Sequence, residues 1–416
     1  MVGILHGEVG RVGTDPGRAG AAVTARQGQR EQCYWNEGAS HAAIILDSDM
    51  PENHSPSIPP VVSVIVPARN EEDCLEDCLQ SLVTQTGVSF EIIVVNDNSE
   101  DRTVDIAQSF PEVQVVDAGP LLPGWSGKNN AVTAGVKKAR GSWFLFTDAD
   151  TVHLPGSLAA SLTEALQRRA DLLSYSPKQE VWGFTEKSVM PVIFAELGAT
   201  YRPSQVSDPK SRAAAANGQY ILVSRQAYER VGGHAAVANS LLEDVALARA
   251  IKHSGGRIFF RYGGDAVRTR MYRNFAQLRD GWTKNLVLLF PSPMRLAALR
   301  LTEFLLIAGS AILAGIAFAH DRRPLAAVMA LMAVGFYIFL LRRIRQAHFA
   351  WDSNALSVFG LPLFSYLLLR SKLSHETGNV LWKGRLYGSP DSASKSAEES
   401  AVQSQSHDAA EPRAAN

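Results

Sequence analysis

Between about Pro60 and Asn285, short apolar runs alternate with stretches in which apolar residues recur at helical spacing. The runs VVSVIV (61–66), FEIIVV (90–95), VQVV (113–116) and SWFLF (142–146) are rich in β-branched and aromatic residues. Uninterrupted apolar runs of that length fit strands covered on both faces, as in a parallel sheet. A helical pattern follows each strand. NEEDCLEDCLQSLVTQ offers Asn70 as N-cap and acids in its first turn, and SEDRTVDIAQSF and SGKNNAVTAGVKKA behave alike. The alternation predicts an α/β domain over residues 60–290, with a mostly parallel central sheet and right-handed crossovers.

Beyond residue 290 the pattern changes. Phe304–Ala319 and Pro324–Leu341 are uncharged apolar runs, and a bilayer core takes ~20 helical residues, with ~17 as a lower limit. Spans are predicted at about 302–320 and 323–341. A third run, Ala355–Leu369, is shorter and interrupted by GLP at 360–362, which predicts a short or re-entrant segment over about 355–370 within a membrane region covering 291–388. Arg295 and Arg300 precede the first run, RRIR (342–345) follows the second, and Arg370, Lys372, Lys383 and Arg385 follow the third. Basic flanks favour the cytoplasmic side, predicting a multi-pass protein of the inner (cell) membrane with its α/β domain in the cytoplasm. The HDRRP loop at 320–324 runs against that rule. Residues 1–59 read as a disordered N-terminal extension with Met50 as the expected start, and residues 389–416, rich in Ser, Ala, Glu and Gln, as a disordered tail.

Charge narrows the function. The 416 residues carry 41 basic and 41 acidic side chains, so the footprint of a nucleic-acid binder is missing. Cys33, Cys74 and Cys78 are too few and too unevenly placed for a disulfide framework or zinc site, which points to a reducing compartment.

In open parallel sheets ligands bind beyond the carboxyl ends of the strands. FLFTDADT (144–151) carries Asp148 and Asp150 out of the core at such an end. Residues two apart project to the same side in extended chain, and a small number of hard oxygen donors suits Mg²⁺ or Mn²⁺ when substrate phosphates complete the shell. PARNEE and NDNSED place Arg69, Asn70, Glu71 and Asp97 at neighbouring strand ends. A carboxylate there can accept from a base N–H or a ribose hydroxyl. GWSGKNNA places Lys128 near a helix start, where a cation and open backbone N–H groups favour a diphosphate.

The ordered motifs VSVIVPARNEE, EIIVVNDNSEDRT, GWSGKNNAVTAGVKKARGSWFLFTDADT, NGQYILVSRQAYERVGG and LLEDVALARAIKHSGG resemble the membrane-associated family 2 glycosyltransferases. PGWSGKNNA, DPKSRAAAANGQY, the paired apolar runs and the closing WKGRLY look most like the branch with lipid acceptors, hopanoid-associated and carotenoid-ester glycosyltransferases included. The resemblance implies a GT-A fold, a metal-dependent inverting hexosyltransferase, a nucleotide-diphosphate donor such as a UDP-sugar, and a membrane-lipid acceptor reacting through a hydroxyl or carboxylate. It puts Pro67, Arg69 and Glu71 at the nucleotide pocket, Val95 and Asp97 at the base, Lys128 near the donor and Asp148 on the ribose side. Asp150, with Asp148, would ligate the metal, and Asp244 would be the catalytic base. Glu243 beside it is expected to project elsewhere and serve structure. The Gln-x-x-Arg-Trp motif of processive relatives is replaced by FAQLRDGWTKN. There Trp282 either borders the acceptor or is an interfacial aromatic, and Arg279 and Lys284 are the candidates for the missing cation on the acceptor or diphosphate side. VMPVIFAELGATY (189–201) reads either as a membrane-surface segment beside the site or as a packed helix. Two other readings remain: a polysaccharide-synthase-like transferase, and a non-catalytic, membrane-anchored sugar-nucleotide-binding protein.

Overall fold

A computed structural model describes residues 59–382 and 385–387. The expectations for residues 1–58, Met50 among them, for Lys383 and for the 389–416 tail lie outside the described residues.

The chain runs through β1 (Val62–Ala68), α1 (Leu75–Val83), β2 (Phe90–Asn96), α2 (Thr103–Gln108), β3 (Val113–Asp117), α3 (Gly127–Val136), β4 (Trp143–Phe146), β5 (Thr151–His153) and α4 (Ser157–Arg168). Then follow β6 (Leu172–Ser176), β7 (Lys178–Gln179), α5 (Phe184–Thr200), α6 (Pro203–Ser207), β8 (Ile221–Ser224), α7 (Arg225–Arg230), α8 (Glu243–His253), β9 (Ile258–Tyr262) and β10 (Val267–Thr269). The last part holds α9 (Phe275–Leu289), α10 (Pro293–Ala319), α11 (Arg323–Ile344), α12 (Trp351–Glu376) and a hairpin of β11 (Val380–Trp382) and β12 (Arg385–Tyr387).

Seven strands form the central sheet in the order β3-β2-β1-β4-β8-β6-β9. All neighbours are parallel except β8, which lies antiparallel between β4 and β6. Side chains alternate across it as period two requires. Val62, Val64, Val66, Ile92 and Val94 join Leu75, Cys78, Leu79 and Leu82 of α1 in one core layer. Ile65, Ile93 and Val95 join Ala131 and Val132 of α3 in the other. The order reverses beside β1, because β2 follows on one side and β4 on the other, and ligand crevices form at such switch points.

Two expectations about elements are corrected. Asn70 does not cap α1, which starts five residues later. It sits at φ 52°, a left-handed conformation that asparagine tolerates, and its Oδ1 accepts from Glu100 N at 2.9 Å. It therefore joins the loops after β1 and β2. The third apolar segment is not a short run over 355–370 but one continuous helix of 26 residues. Pro362 removes a single backbone donor, and the helix continues because α5 packs along it. Gly360 makes that approach possible, since a Cβ there would lie 2.0 Å from the Ser188 carbonyl oxygen of α5.

Helices α10, α11 and α12 are each long and apolar enough to cross a membrane, with mean hydropathies of 2.0, 2.3 and 1.2. In α12, 44% of the most apolar window is buried within the protein, against 17% in each of the others, so α10 and α11 present the more apolar exterior. Leu305, Ile312, Phe318, Leu331 and Phe339 are all exposed there.

Candidate active site

A cleft of about 1080 Å³ opens at the carboxyl ends of β1, β2 and β4. Pro67, Arg69 and Glu71 enter it from the end of β1, Asp97 from β2, and Asp148 and Asp150 from β4. Arg69 donates from one guanidinium nitrogen to the carbonyls of Asp97 (2.8 Å) and Asn98 (3.1 Å), fixing the chain where it leaves β2. The β1 and β2 ends are thereby held as one rim.

Lys128 is the second residue of α3, whose N-cap Ser126 accepts from Asn129 N. Its Nζ lies 2.7 Å from Asp148 Oδ1 and 2.8 Å from Glu243 Oε1. Burial alone would depress this lysine, but the Asp148 and Glu243 carboxylates outweigh it and hold the ammonium well above its ordinary range. Asp244, the second residue of α8, lies beside them. Its Oδ2 accepts from Gly218 N at 2.9 Å and its Oδ1 from Val245 N at 2.7 Å. Burial, followed by the charge of Glu243, raises its pKa to about 6, with Lys128 and the two N–H groups pulling the other way. Gly218, from NGQY, leaves the space these groups share: a Cβ there would lie 2.9 Å from Lys128 Nζ and 3.6 Å from Asp244 Oδ2.

Lys284, on α9, also lines the cleft. Burial pushes it below the usual lysine range, partly offset by Glu243. Trp282 lines the cleft but is no interfacial aromatic. It is buried, donates from Nε1 to Met190 Sδ at 3.4 Å, and meets Phe194 and Tyr272 edge-on.

Three expectations fail on placement. Val95 is wholly buried in the core layer under α3 and is not at the cleft. Arg279 pairs with its neighbour Asp280 at 2.7 Å, outside the lining. Glu243 does not project away from the site. It is the first helical residue of α8, and its carboxylate reaches across to Lys128 Nζ at 2.8 Å. The segment 189–201 is a packed helix, with Val189, Val192 and Ile193 fully buried.

The 189–201 segment, which one sequence reading set beside the site, supplies part of an apolar wall there, while Leu289, Phe349 and a distant arginine had not been singled out as site residues. Phe194 and Leu197 of α5, Tyr201 just after it, Leu289 of α9, and Phe349 between α11 and α12 also line the cleft. Phe194 and Phe349 pack with ring centroids 5.9 Å apart. Tyr201 donates to the Leu289 carbonyl at 2.9 Å, and its own pKa is raised by burial and by the charge of Asp244. The apolar wall thus begins beside the candidate base. Arg385, from β12, makes a bidentate ion pair with Asp97 at 2.5 and 2.9 Å. The only signal for it was the motif WKGRLY, because no local pattern reveals a contact across 288 positions.

Asp148 and Asp150 supply two hard carboxylates on one rim, and no group of three or more His, Cys, Asp or Glu able to hold a metal occurs among the described residues. Two carboxylates fit Mg²⁺ or Mn²⁺ only as part of a shell that donor phosphates complete. As a whole, the cleft brings carboxylates and lysines together with apolar side chains.

Residues 63–232 match the glycosyl transferase family 2 domain. The chain is 30% identical over 345 residues to 4,4'-diaponeurosporenoate glycosyltransferase of Staphylococcus aureus (strain MRSA252), covering 78% of this chain and 88% of that one. Among solved structures it is similar to a mannosyltransferase from Pyrobaculum calidifontis in complex with GDP-Man and Mn²⁺, at 16% identity and TM-score 0.46, covering 77% of this chain and 88% of the other. A further likeness is to glucosyl-3-phosphoglycerate synthase from Mycobacterium tuberculosis, at 21% identity and TM-score 0.38, covering 55% and 78%. The sheet and the cleft at its switch point are those of a sugar-transferring enzyme with a GT-A fold. The chain belongs to glycosyl transferase family 2.

Proposed function

We propose that this glycosyltransferase moves a sugar, with inversion and metal dependence, from a nucleotide-diphosphate donor such as a UDP-sugar to a hydroxyl or carboxylate of a membrane lipid. In this reading residues 60–290 form the catalytic domain on the cytoplasmic side of the cell membrane, and α10 to α12 hold it there. The observation that carries the proposal is that one cleft is lined both by Asp244 and Lys128 and by the apolar side chains of Phe194, Leu197, Tyr201 and Phe349. The carotenoid acceptor named for the S. aureus relative is of the same apolar class.

The residues divide the work. Asp97 meets the nucleotide base, while Pro67, Arg69 and Glu71 border its pocket. Asp148 faces the ribose side and, with Asp150, would hold the divalent ion. That ion supplies neutralisation of the charge that develops on the departing diphosphate. Lys128 adds a fixed positive charge at the same place, and a charge already oriented in a water-poor site costs no reorganisation during reaction. Asp244 accepts the acceptor hydroxyl proton as the new glycosidic bond forms and the bond to the diphosphate breaks, which is worth ~10²- to 10⁴-fold in rate. With a carboxylate acceptor, which brings no proton, Asp244 has none to remove. Lys284, kept low by burial, lies within the same field and could orient either acceptor.

The test is to incubate membranes bearing the protein with a panel of radiolabelled nucleotide sugars and to separate organic from aqueous products. A discrete labelled species in the organic phase is expected. Polymeric aqueous label would favour a polysaccharide synthase, and retained donor with no product a binding protein.

A further inference from the structure

The chain leaves the cleft for its apolar helices and then comes back to the cleft. Leu289, at the end of α9, lines it just before α10, and Arg385, after α12, lines it again and pairs with Asp97. A cleft that holds Lys128, Asp148 and Asp244 faces water on one side of a membrane. Between Leu289 and Arg385 the chain must therefore cross the bilayer an even number of times. Among the described residues, three helices in that stretch are long and apolar enough to cross, α10, α11 and α12. One of them does not.

The contacts single out α12. Helices α10 and α11 are the more exposed and are joined by residues 320–322 alone, as in a membrane hairpin. Helix α12 instead lies against helices of the α/β domain from its first turn to its last. Asp352 accepts from Lys187 Nζ of α5 at 2.7 Å, and Gly360 abuts the Ser188 carbonyl. Ser371 Oγ accepts from Val287 N of α9 at 3.0 Å, and His375 Nε2 meets the Lys284 carbonyl at 2.8 Å. Were α12 to cross, it would draw α5 and α9, and the cleft they line, into the hydrocarbon. The other side of α12 is apolar and exposed, with Trp351, Phe359, Tyr366, Leu369 and Leu373. At 3.6 residues per turn these positions share one face along the whole helix. Phe184 of α5, also exposed, widens that face with its ring 5.8 Å from Phe359.

We propose that α12 does not span the bilayer but lies along its cytoplasmic surface, with the exposed face sunk to the boundary between lipid headgroups and acyl chains. This rests on the reading above in which the domain is cytoplasmic and the membrane is crossed by α10 and α11. A helix with one apolar face lies in the interface plane, and Trp and Tyr favour that depth. Only residues 345–350 separate α12 from the end of α11, so the bilayer is within its reach. Arg342 and Arg345, exposed at the end of α11, suit anionic headgroups beside it. Helix α12 then fastens two cleft-lining helices, α5 and α9, to the surface from which a lipid acceptor comes.

Single cysteines in the full-length protein test this. An impermeant maleimide is applied to sealed right-side-out and inverted membrane vesicles, and the labelled peptide is identified by mass spectrometry. Leu166→Cys on α4 marks the domain, His320→Cys the link between α10 and α11, and Ala350→Cys and Thr377→Cys the two ends of α12; all four positions are exposed, so the fold should tolerate them. Ala350→Cys and Thr377→Cys are both expected to label from the same side as Leu166→Cys, and His320→Cys only from the other. Thr377→Cys labelling from the His320→Cys side would show that α12 crosses, which overturns the proposal and leaves the hairpin standing. His320→Cys labelling from the domain side would overturn the hairpin and the proposal together. Depth is read separately in vesicles of phosphatidylethanolamine and phosphatidylglycerol, with a fluorophore on Phe359→Cys, Tyr366→Cys or Leu373→Cys and a spin label either near the headgroup or near the chain end of the lipid. All three positions should be quenched alike, and more strongly by the shallow label. A crossing helix would instead set Tyr366 and Leu373 about 10 Å apart in depth, at about 1.5 Å per residue. Unequal quenching contradicts the proposal, and so does no quenching, the result expected if the face meets water or a second copy of the chain.

Discussion

At the start of α8, burial works against the charge of Asp244 and raises its pKa to about 6. A base must be deprotonated to act, so with a hydroxyl acceptor kcat/KM should be flat above about pH 7 and fall about tenfold per unit below about pH 6. A profile without that acid limb would remove Asp244 from the proton transfer. Asp244→Asn should keep donor affinity in calorimetry while transfer drops by about 10² or more. Equal loss of donor binding would make Asp244 a binding residue. Asp148 and Asp150 are too few to hold an ion without donor phosphates, so EDTA should abolish transfer and added Mn²⁺ or Mg²⁺ restore it, and full activity in chelator would refute the metal assignment. The strand-end acids and Lys128 were legible because the ends of parallel strands are where ligands bind. Arg385 was not, because its partner is remote in sequence, and Glu243 was misjudged because its contact with Lys128 is tertiary.

The elements were legible where a pattern is local. Strands β1 to β4 lie within a residue or two of the runs that predicted them, since buried parallel strands must be apolar throughout. Helix α12 shows the opposite case. GLP looks like a break, and only the tertiary contact with α5 explains an unbroken helix there. That contact makes a test. In an exposed helix Gly→Ala gains up to ~1 kcal/mol, whereas Gly360→Ala would push a methyl group to 2.0 Å from the Ser188 carbonyl oxygen. Overpacking of this kind typically costs ~1–3 kcal/mol, so Gly360→Ala should lower the melting temperature of the detergent-solubilised protein. A rise would mean that α5 and α12 are not in close contact. Because α5 also carries Phe194 and Leu197, loosening it should disturb the apolar lining of the cleft.

In the whole molecule, the cleft and the apolar helices are joined by a partly buried ionic cluster. Arg300 of α10 lies 3.5 Å from Glu196 of α5 and 2.5 Å from Glu303, and Arg343 of α11 lies 3.5 Å from Glu196 and 2.9 Å from Glu303. Removing one partner of such a cluster strands the others without water, so the cleft-lining helix α5 is tied to both α10 and α11. Periodicity revealed the apolar helices but could not reveal this junction, whose charges sit in three separate helices. The central claim proposed here is that the acceptor is a membrane lipid reacting in the cleft. Its most direct test is to purify the protein in detergent, strip it of endogenous lipid, and supply labelled donor with or without a lipid extract of its own membranes. Transfer is predicted to be absent without the extract and to yield one organic-soluble glycoside when it is added, dependent on Asp244 for a hydroxyl acceptor. Undiminished transfer in the lipid-free protein, or aqueous polymer in either case, would contradict it.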